Sequence, residues 1–265
     1  DVKTKQGKLF LQKYGSKLTV NENQKGVLDV DTVKGCTLGM KARPGTGCYG
    51  ACYANKIAQA YGQNFPVSVS RHLIEKTIRK HPASWFRIGT MGDPCHDWEN
   101  TVEVCEWLHK IKQPIIITKH WRAVPDELLE RFKTCRVVFN TSVSALDTPE
   151  ELSHRLSEWR RLNAAGIKSI LRIVSCKFGD TETGQKCDVV QQELFALGGK
   201  EAIDNPLRLS MNDQRVIDGD IIVERMQDLA GLATISKVNP ETYIGSCEGC
   251  PDQCGADVIE RKKMK

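Results

Sequence analysis

The chain has 265 residues, 40% of them apolar, enough for one large α/β domain with its own core and no help from disulfides. No run approaches the roughly 18 apolar residues of a membrane span, and the opening DVKTKQGKLFLQKYG lacks a signal-peptide core, so a soluble cytoplasmic protein with no membrane partner is expected. Eleven cysteines, an odd number, do not suit a closed disulfide framework and point to metal or cluster ligation, while a formal charge of +5 suits a DNA or RNA partner without requiring one.

Reading from the N-terminus, a first strand is predicted within Val27–Val33 and a helix over Ala51–Tyr61. Between them KGCTLGMKARPGTGCYGACYANKIAQAYG sets Cys36, Cys48 and Cys52 in a loop rich in Gly and Pro. Three thiolates can hold three irons of a cubane and leave the fourth iron open to a small chelating ligand; a zinc site with a fourth ligand from elsewhere would use the same residue types. From residue 85 onward, short apolar runs alternate with longer amphipathic ones, the pattern of parallel strands joined by crossover helices. Strands are predicted at Trp85–Gly89, Pro114–Thr118, Arg136–Ser144 and Ser169–Ser175, with helices at Thr101–Ile111, Pro125–Phe132, Pro149–Ala165 and Cys187–Leu197. Asp147-Thr148-Pro149-Glu150-Glu151 reads as a capped helix start, and Gly166 as the end of that helix. A strand near Leu207–Met211 and a helix near Ile221–Leu229 complete about six β/α units.

The expected fold is therefore α/β, a partial (β/α)6 TIM-like barrel over residues 1–240, followed by a short cysteine-rich extension at 241–265. In that extension SCEGCPDQCGAD places Cys247, Cys250 and Cys254 in C-x2-C-x3-C spacing, a strong ligand signature for an iron–sulfur cluster or zinc. A fourth ligand is sought among Cys187, Cys176, Cys95 or a histidine. His96 and Asp97 follow the second strand of the set, where catalytic residues of barrels collect. Lys119, His120 and Trp121 are expected at the corresponding rim after the next strand, and Glu158, Arg160 and Arg161 on a solvated helix face. Cys105 is read as a buried small hydrophobe within a helix, and Cys135 as another at the start of a strand.

In the order and kind of its elements, and in its N-terminal cysteines, the chain resembles the radical S-adenosylmethionine superfamily over roughly residues 27 to 180. The resemblance implies a 4Fe–4S cluster on Cys36, Cys48 and Cys52 that binds S-adenosylmethionine and, fed by an external one-electron reductant, cleaves it to start hydrogen-atom abstraction from a substrate. It implies that Gly92 and Asp93, in FRIGTMGDP, stand where the family contacts the amino group of the methionine moiety. Asn140, Ser142 and Ser144 in VVFNTSVSALD then approach the ribose and the methionine carboxylate, Arg172 pairs with that carboxylate, and Tyr53 lies along the adenine or shields the cluster. The long interval between Cys36 and Cys48, and Ala51 rather than an aromatic before Cys52, depart from the commonest family spacing. Auxiliary 4Fe–4S clusters beyond the barrel are common in the superfamily and give the C-terminal trio its parallel, with zinc as the other reading. A modified base in DNA or RNA is the suggested substrate. Two rivals from other classes are a zinc-dependent barrel enzyme of the transglycosylase kind and a non-enzymatic zinc module that binds nucleic acid.

Overall fold

The computed structural model describes residues 18–33, 70–229 and 231–257. Its centre is a seven-stranded, mostly parallel sheet. The strands are β1 (Thr19–Glu22), β2 (Leu28–Asp31), β3 (Trp85–Ile88), β4 (Gln113–Thr118), β5 (Val138–Val143), β6 (Ser169–Ile173) and, after the two-residue β7 (Lys177–Phe178), β8 (Ile203–Asp204). Their spatial order is β1-β2-β3-β4-β5-β6-β8. Only β1 runs antiparallel, as the first arm of a hairpin with β2.

Each crossover between parallel neighbours carries a helix or lies partly outside the described residues. The helices are α1 (Arg71–Lys80), α2 (Trp98–Leu108), α3 (Asp126–Thr134), α4 (Pro149–Ala164) and α5 (Glu182–Gly198). Local chemistry fixes their ends. Asp97 caps α2, and Thr148 with Glu151 forms a full capping box on α4 with Pro149 in its first turn. Gly166, at φ +78°, takes the left-handed position after α4 that a side chain would strain.

Strands stacked in sequential order with same-handed crossovers put the described crossover helices on one face of the sheet. Packing agrees. Leu28, Val30, Phe86, Ile88, Ile116 and Phe139 pack with α1 to α4 side chains such as Ile74, Val102, Leu108, Phe132 and Leu162. Val143, Leu171 and Ile173 continue that layer against α4 and α5. By the two-residue strand period, Asp29, Asp31, Arg87, Ile115, Asn140, Ser142 and Arg172 lie on the opposite face, which carries no helix among the described residues and is called the helix-free face in that sense. There the cluster of Val27, Trp85, Ile115, Val138, Ile170 and Ile203 packs, among the described residues, with Cys247, Cys254 and Ala256.

The remaining elements are short: β9 (Leu207–Arg208), α6 (Gln214–Ile217), β10 (Ile221–Ile222), β11 (Glu224–Asp228) and β12 (Gly231–Ser236). The helix predicted over Ile221–Leu229 does not form. Those residues make β10, paired with β7, and β11, the first arm of a hairpin with β12. Its apolar spacing fits either period, and a cross-strand partner beyond the sequence window decides the outcome. The strand near Leu207–Met211 shortens to two residues, and the helix predicted over Ala51–Tyr61 falls outside the described residues. The hairpin arm β1, helix α1 and strand β8 were not among the predicted elements.

Candidate functional site

In parallel α/β sheets ligands gather where strands end and loops begin, at the carboxyl edge. Here that edge is braced by buried acids. Asp31, last residue of β2, accepts hydrogen bonds from the backbone amides of Thr90 (3.2 Å) and Met91 (2.9 Å), tying the loop after β3 to the end of β2. Gly89 begins that loop at φ +102°, and a Cβ there would stand 2.2 Å from the Ile117 carbonyl oxygen, so no other residue fits.

Gly92 is buried, and Asp93 caps the turn Pro94–His96. The Asp93 Oδ1 accepts from the Cys95 amide (3.1 Å) and the Thr118 hydroxyl (2.6 Å), while Oδ2 accepts from the Lys119 amide (2.8 Å). The Cys95 thiol hydrogen-bonds the same carboxyl, which, with burial first and the Asp93 charge second, raises that thiol. His96 and Asp97 follow, both half-buried. Burial pulls the His96 imidazole below its ordinary value of 6.5, which keeps it neutral near pH 7, and burial likewise raises the Asp97 carboxyl. One Asp97 oxygen is occupied as the α2 cap, accepting from the Asn100 amide.

The polar residues of β5 and β6 divide into three environments. Ser142 lies on the helix-free face, buried, with its hydroxyl making no hydrogen bond among the described residues. Ser144 donates to the Val174 carbonyl (2.7 Å) and accepts from the Leu146 amide, so its hydroxyl stitches the ends of β5 and β6 together. Asn140 and Arg172 face the C-terminal cysteine loop. Asn140 Nδ2 donates to the Cys254 carbonyl (3.0 Å), and Arg172 donates to Asn205 Oδ1 (2.7 Å) with its other nitrogen 3.7 Å from Cys254 Sγ.

Several predicted surface positions turn out to be interior. His120 is fully buried on the helix side, between Trp98 and Phe139, with Nε2 3.1 Å from the Thr141 hydroxyl. Trp121 packs against the core beneath the Arg155 guanidinium, and Lys119 lies buried within 3.4 Å of Asp147, so this trio does not form an open rim. Glu158 is buried too, accepting from the Val124 amide and from Arg161, which corrects its expected place on a solvated face. Its interior position follows from the need to satisfy the Val124 amide where α3 meets α4. Cys105 is buried as expected, and Cys135 is buried at the end of α3 rather than at the start of a strand.

The C-terminal loop lies against the sheet. Cys247 donates its amide to Lys25 O (2.8 Å), Lys168 reaches Gly255 O (2.9 Å), and Asp257 pairs with Arg136 and Gln113. A Cβ on Gly255 would stand 2.0 Å from Ile170 Cδ1, so glycine is what lets the loop seat on the strands. Burial pushes the Cys247 thiol up, opposed by the nearby charges of Arg87 and Lys25. As the side chains stand, no group of three His, Cys, Asp or Glu among the described residues converges to ligand distance. Of the fourth-ligand candidates, Cys95 packs on the helix side, and Cys176 belongs to a separate cluster with Leu209 and Ile221. Cys187 sits on α5, where burial and the charge of Asp220 raise its thiol.

Sequence reasoning missed the Arg87–Asp29 pair on the helix-free face. Arg87 Nε and Nη2 grip the two Asp29 oxygens at 2.8 and 3.1 Å. Burial alone would lower the guanidinium, but Asp29 holds it above its ordinary range. The signal was present in LDVD, where two acids at period two interrupt an apolar strand. Cys36, Cys48, Cys52 and Tyr53 lie outside the described residues. No helix among the described residues is long and apolar enough to cross a membrane. No family model, curated protein or solved structure matches the chain.

Proposed function

We propose that this chain is a radical S-adenosylmethionine enzyme, its sheet forming a partial (β/α)6 barrel and its 4Fe–4S cluster held by Cys36, Cys48 and Cys52. The observation that carries the reading is topological. The sheet is singly wound, with its helices on one face and polar side chains on the other. The described part of the chain leaves the carboxyl edge of β2 at Val33, and Cys36 follows three residues later, within roughly 11 Å of extended chain. Three thiolates suit a site-differentiated cluster with one iron open.

When bound and reduced by an external one-electron donor, such a cluster supplies the electron that splits S-adenosylmethionine into methionine and a 5′-deoxyadenosyl radical. The chain's own residues bind and orient. The charge of the Asp93 carboxylate, with the Gly92 backbone beside it, suits the methionine ammonium, and Asp31 fixes that loop in place. Ser142 offers a free hydroxyl to the ribose or carboxylate, with Asn140 and Arg172 below it on the same face, and Tyr53 is assigned to the adenine. Ser144 holds strand ends rather than ligand. His96, neutral near pH 7, and Asp97 are assigned to substrate binding and proton transfer at the strand end.

The proposed substrate is a base in DNA or RNA, in keeping with the net charge of +5; reaching a site at the sheet edge would require the base to be flipped out. Thiolate ligation would suit a reducing compartment such as the cytoplasm. The test is anaerobic purification and reconstitution, then iron, sulfide and zinc content and an assay for 5′-deoxyadenosine after reduction with S-adenosylmethionine. Deoxyadenosine should form, and Cys48→Ala or Cys52→Ala should abolish it with the circular dichroism unchanged. Cleavage retained in either variant, or zinc in place of iron with no deoxyadenosine, overturns the reading.

A further inference from the structure

The C-terminal cysteines lie beside a group of cations. Cys247 and Cys254 are buried in one apolar cluster, and Cys250, half-buried, is joined to Cys247 by a turn in which its amide donates to the Cys247 carbonyl. Gln253, Cys254 and Gly255 are successive left-handed residues, at φ 40°, 55° and 74°, and bend the chain back onto the sheet. Around them stand Lys25, Arg87 and Arg172. Arg87 is neutralised by Asp29. Arg172 has a neutral partner in Asn205 and the Cys254 sulfur, with the carboxyl of Asp252 acting on it from farther off. Lys25 is half-buried among the charges of Arg208, Arg172 and Arg87, of which Arg208 pairs with Asp228 at 3.2 Å. Neither Lys25 nor Arg172 has a carboxylate within 4.0 Å among the described residues. Asn140 adds a buried Oδ1 with no hydrogen-bond partner among those residues, on the amide that holds the Cys254 carbonyl.

Neutral thiols need no counter-charge, and half-buried cations do not gather without an anion. Three thiolates on a divalent ion, or on a 4Fe–4S core, carry one net negative charge and supply that anion. We propose that Cys247, Cys250 and Cys254 ligate a thiophilic metal centre, zinc or iron–sulfur, countered by Lys25 and Arg172, and that this centre latches the C-terminal segment across the helix-free face. Closing the site needs the half-exposed Cys250 side chain to turn inward. With Cys95, Cys176 and Cys187 packed elsewhere, the fourth coordination position is left to a ligand from outside these cysteines. This inference is independent of the radical reading, because it concerns a different set of thiolates.

The experiment uses the full chain carrying both Cys48→Ala and Cys52→Ala, so that the N-terminal loop cannot supply a cluster. After anaerobic reconstitution it should hold about one zinc, or about four iron with matching sulfide, and the two results tell the metals apart. Adding Cys250→Ser, at a half-exposed position that tolerates the change, should cut the metal content at least tenfold while the circular dichroism is retained. Arg172→Gln should speed metal loss to a chelator about tenfold, with Arg172→Lys restoring the slower rate. A folded Cys48→Ala, Cys52→Ala chain that binds neither metal, or metal content unchanged by Cys250→Ser, overturns the site. Chelation kinetics unaltered by Arg172→Gln overturn the role given to the counter-charge.

Discussion

The two faces of the parallel sheet use the same strands to opposite ends. Toward the helices, alternate residues of β2 to β6 are mostly aliphatic or aromatic, with Thr118, Thr141 and Ser169 as the polar exceptions, and α1 to α5 seal them from water. Away from the helices the strands begin apolar, at Trp85, Ile115, Val138 and Ile170, and then become ionic and polar at Asp29, Arg87, Asn140, Ser142 and Arg172. Among the described residues, what packs on that second face is a short irregular segment containing two buried cysteines. Sequential strand order explains the division: once every crossover packs on one side, stability is carried there, and the other side is free to hold charge.

If that division holds, truncation on the helix face should be the most damaging change. Phe139 is fully buried and meets Phe132 edge-on at a ring distance of 5.3 Å. Phe139→Ala should lower the unfolding free energy by about 4 kcal/mol, read from a urea transition, through lost burial and the cavity left behind. A loss below about 1 kcal/mol would show that the helix face is not the main source of stability. On the opposite face the corresponding weak point is ionic. Arg87→Met leaves the Asp29 carboxylate buried without its cation, held among the described residues only by the Asn23 side-chain amide, and should lose about 3 kcal/mol, most of it recovered when Asp29→Asn is added. A double variant no more stable than Arg87→Met alone would mean that the loss came from packing rather than charge.

How much of this was legible in the sequence depended on how local the determining interaction is. The strand predicted at Pro114–Thr118 forms as Gln113–Thr118, and the helix predicted at Pro149–Ala165 as Pro149–Ala164, because an isoleucine run and a Thr-Pro-Glu-Glu cap act within a few residues. Ile221–Leu229 was misread because its strands exist only through pairing with Lys177–Phe178 and Gly231–Ser236. The C-terminal cysteines were evident from spacing alone. Their cationic surroundings were not, since Lys25, Arg87 and Arg172 belong to three separate strands or turns and meet only when the sheet forms. Glu158 and His120 were placed at the surface for a related reason. A charged or titratable residue reads as exposed until the backbone amide or hydroxyl it satisfies is known.

His120 offers the smallest and most specific comparison of the two faces, because it is an imidazole buried among aromatic rings on the side that carries the apolar packing. Burial drives its pKa from 6.5 down to about 4, against the opposing pull of Asp93 and Glu158. Between those values the unfolded chain binds a proton that the folded chain refuses. Stability from this group is therefore complete above the unfolded value and falls as the pH drops from 6.5 toward 4, levelling off below that. From pH 7 to pH 5 the loss should be about 2 kcal/mol. His120→Asn removes the titration and tolerates the left-handed φ of 48° at this position. The variant should be less stable at pH 7, through lost aromatic packing against Trp98 and Phe139, yet its stability should decline less steeply with acid. Parallel pH profiles for the two proteins would place the acid sensitivity elsewhere, with the half-buried His96 at the carboxyl edge as the next imidazole to replace.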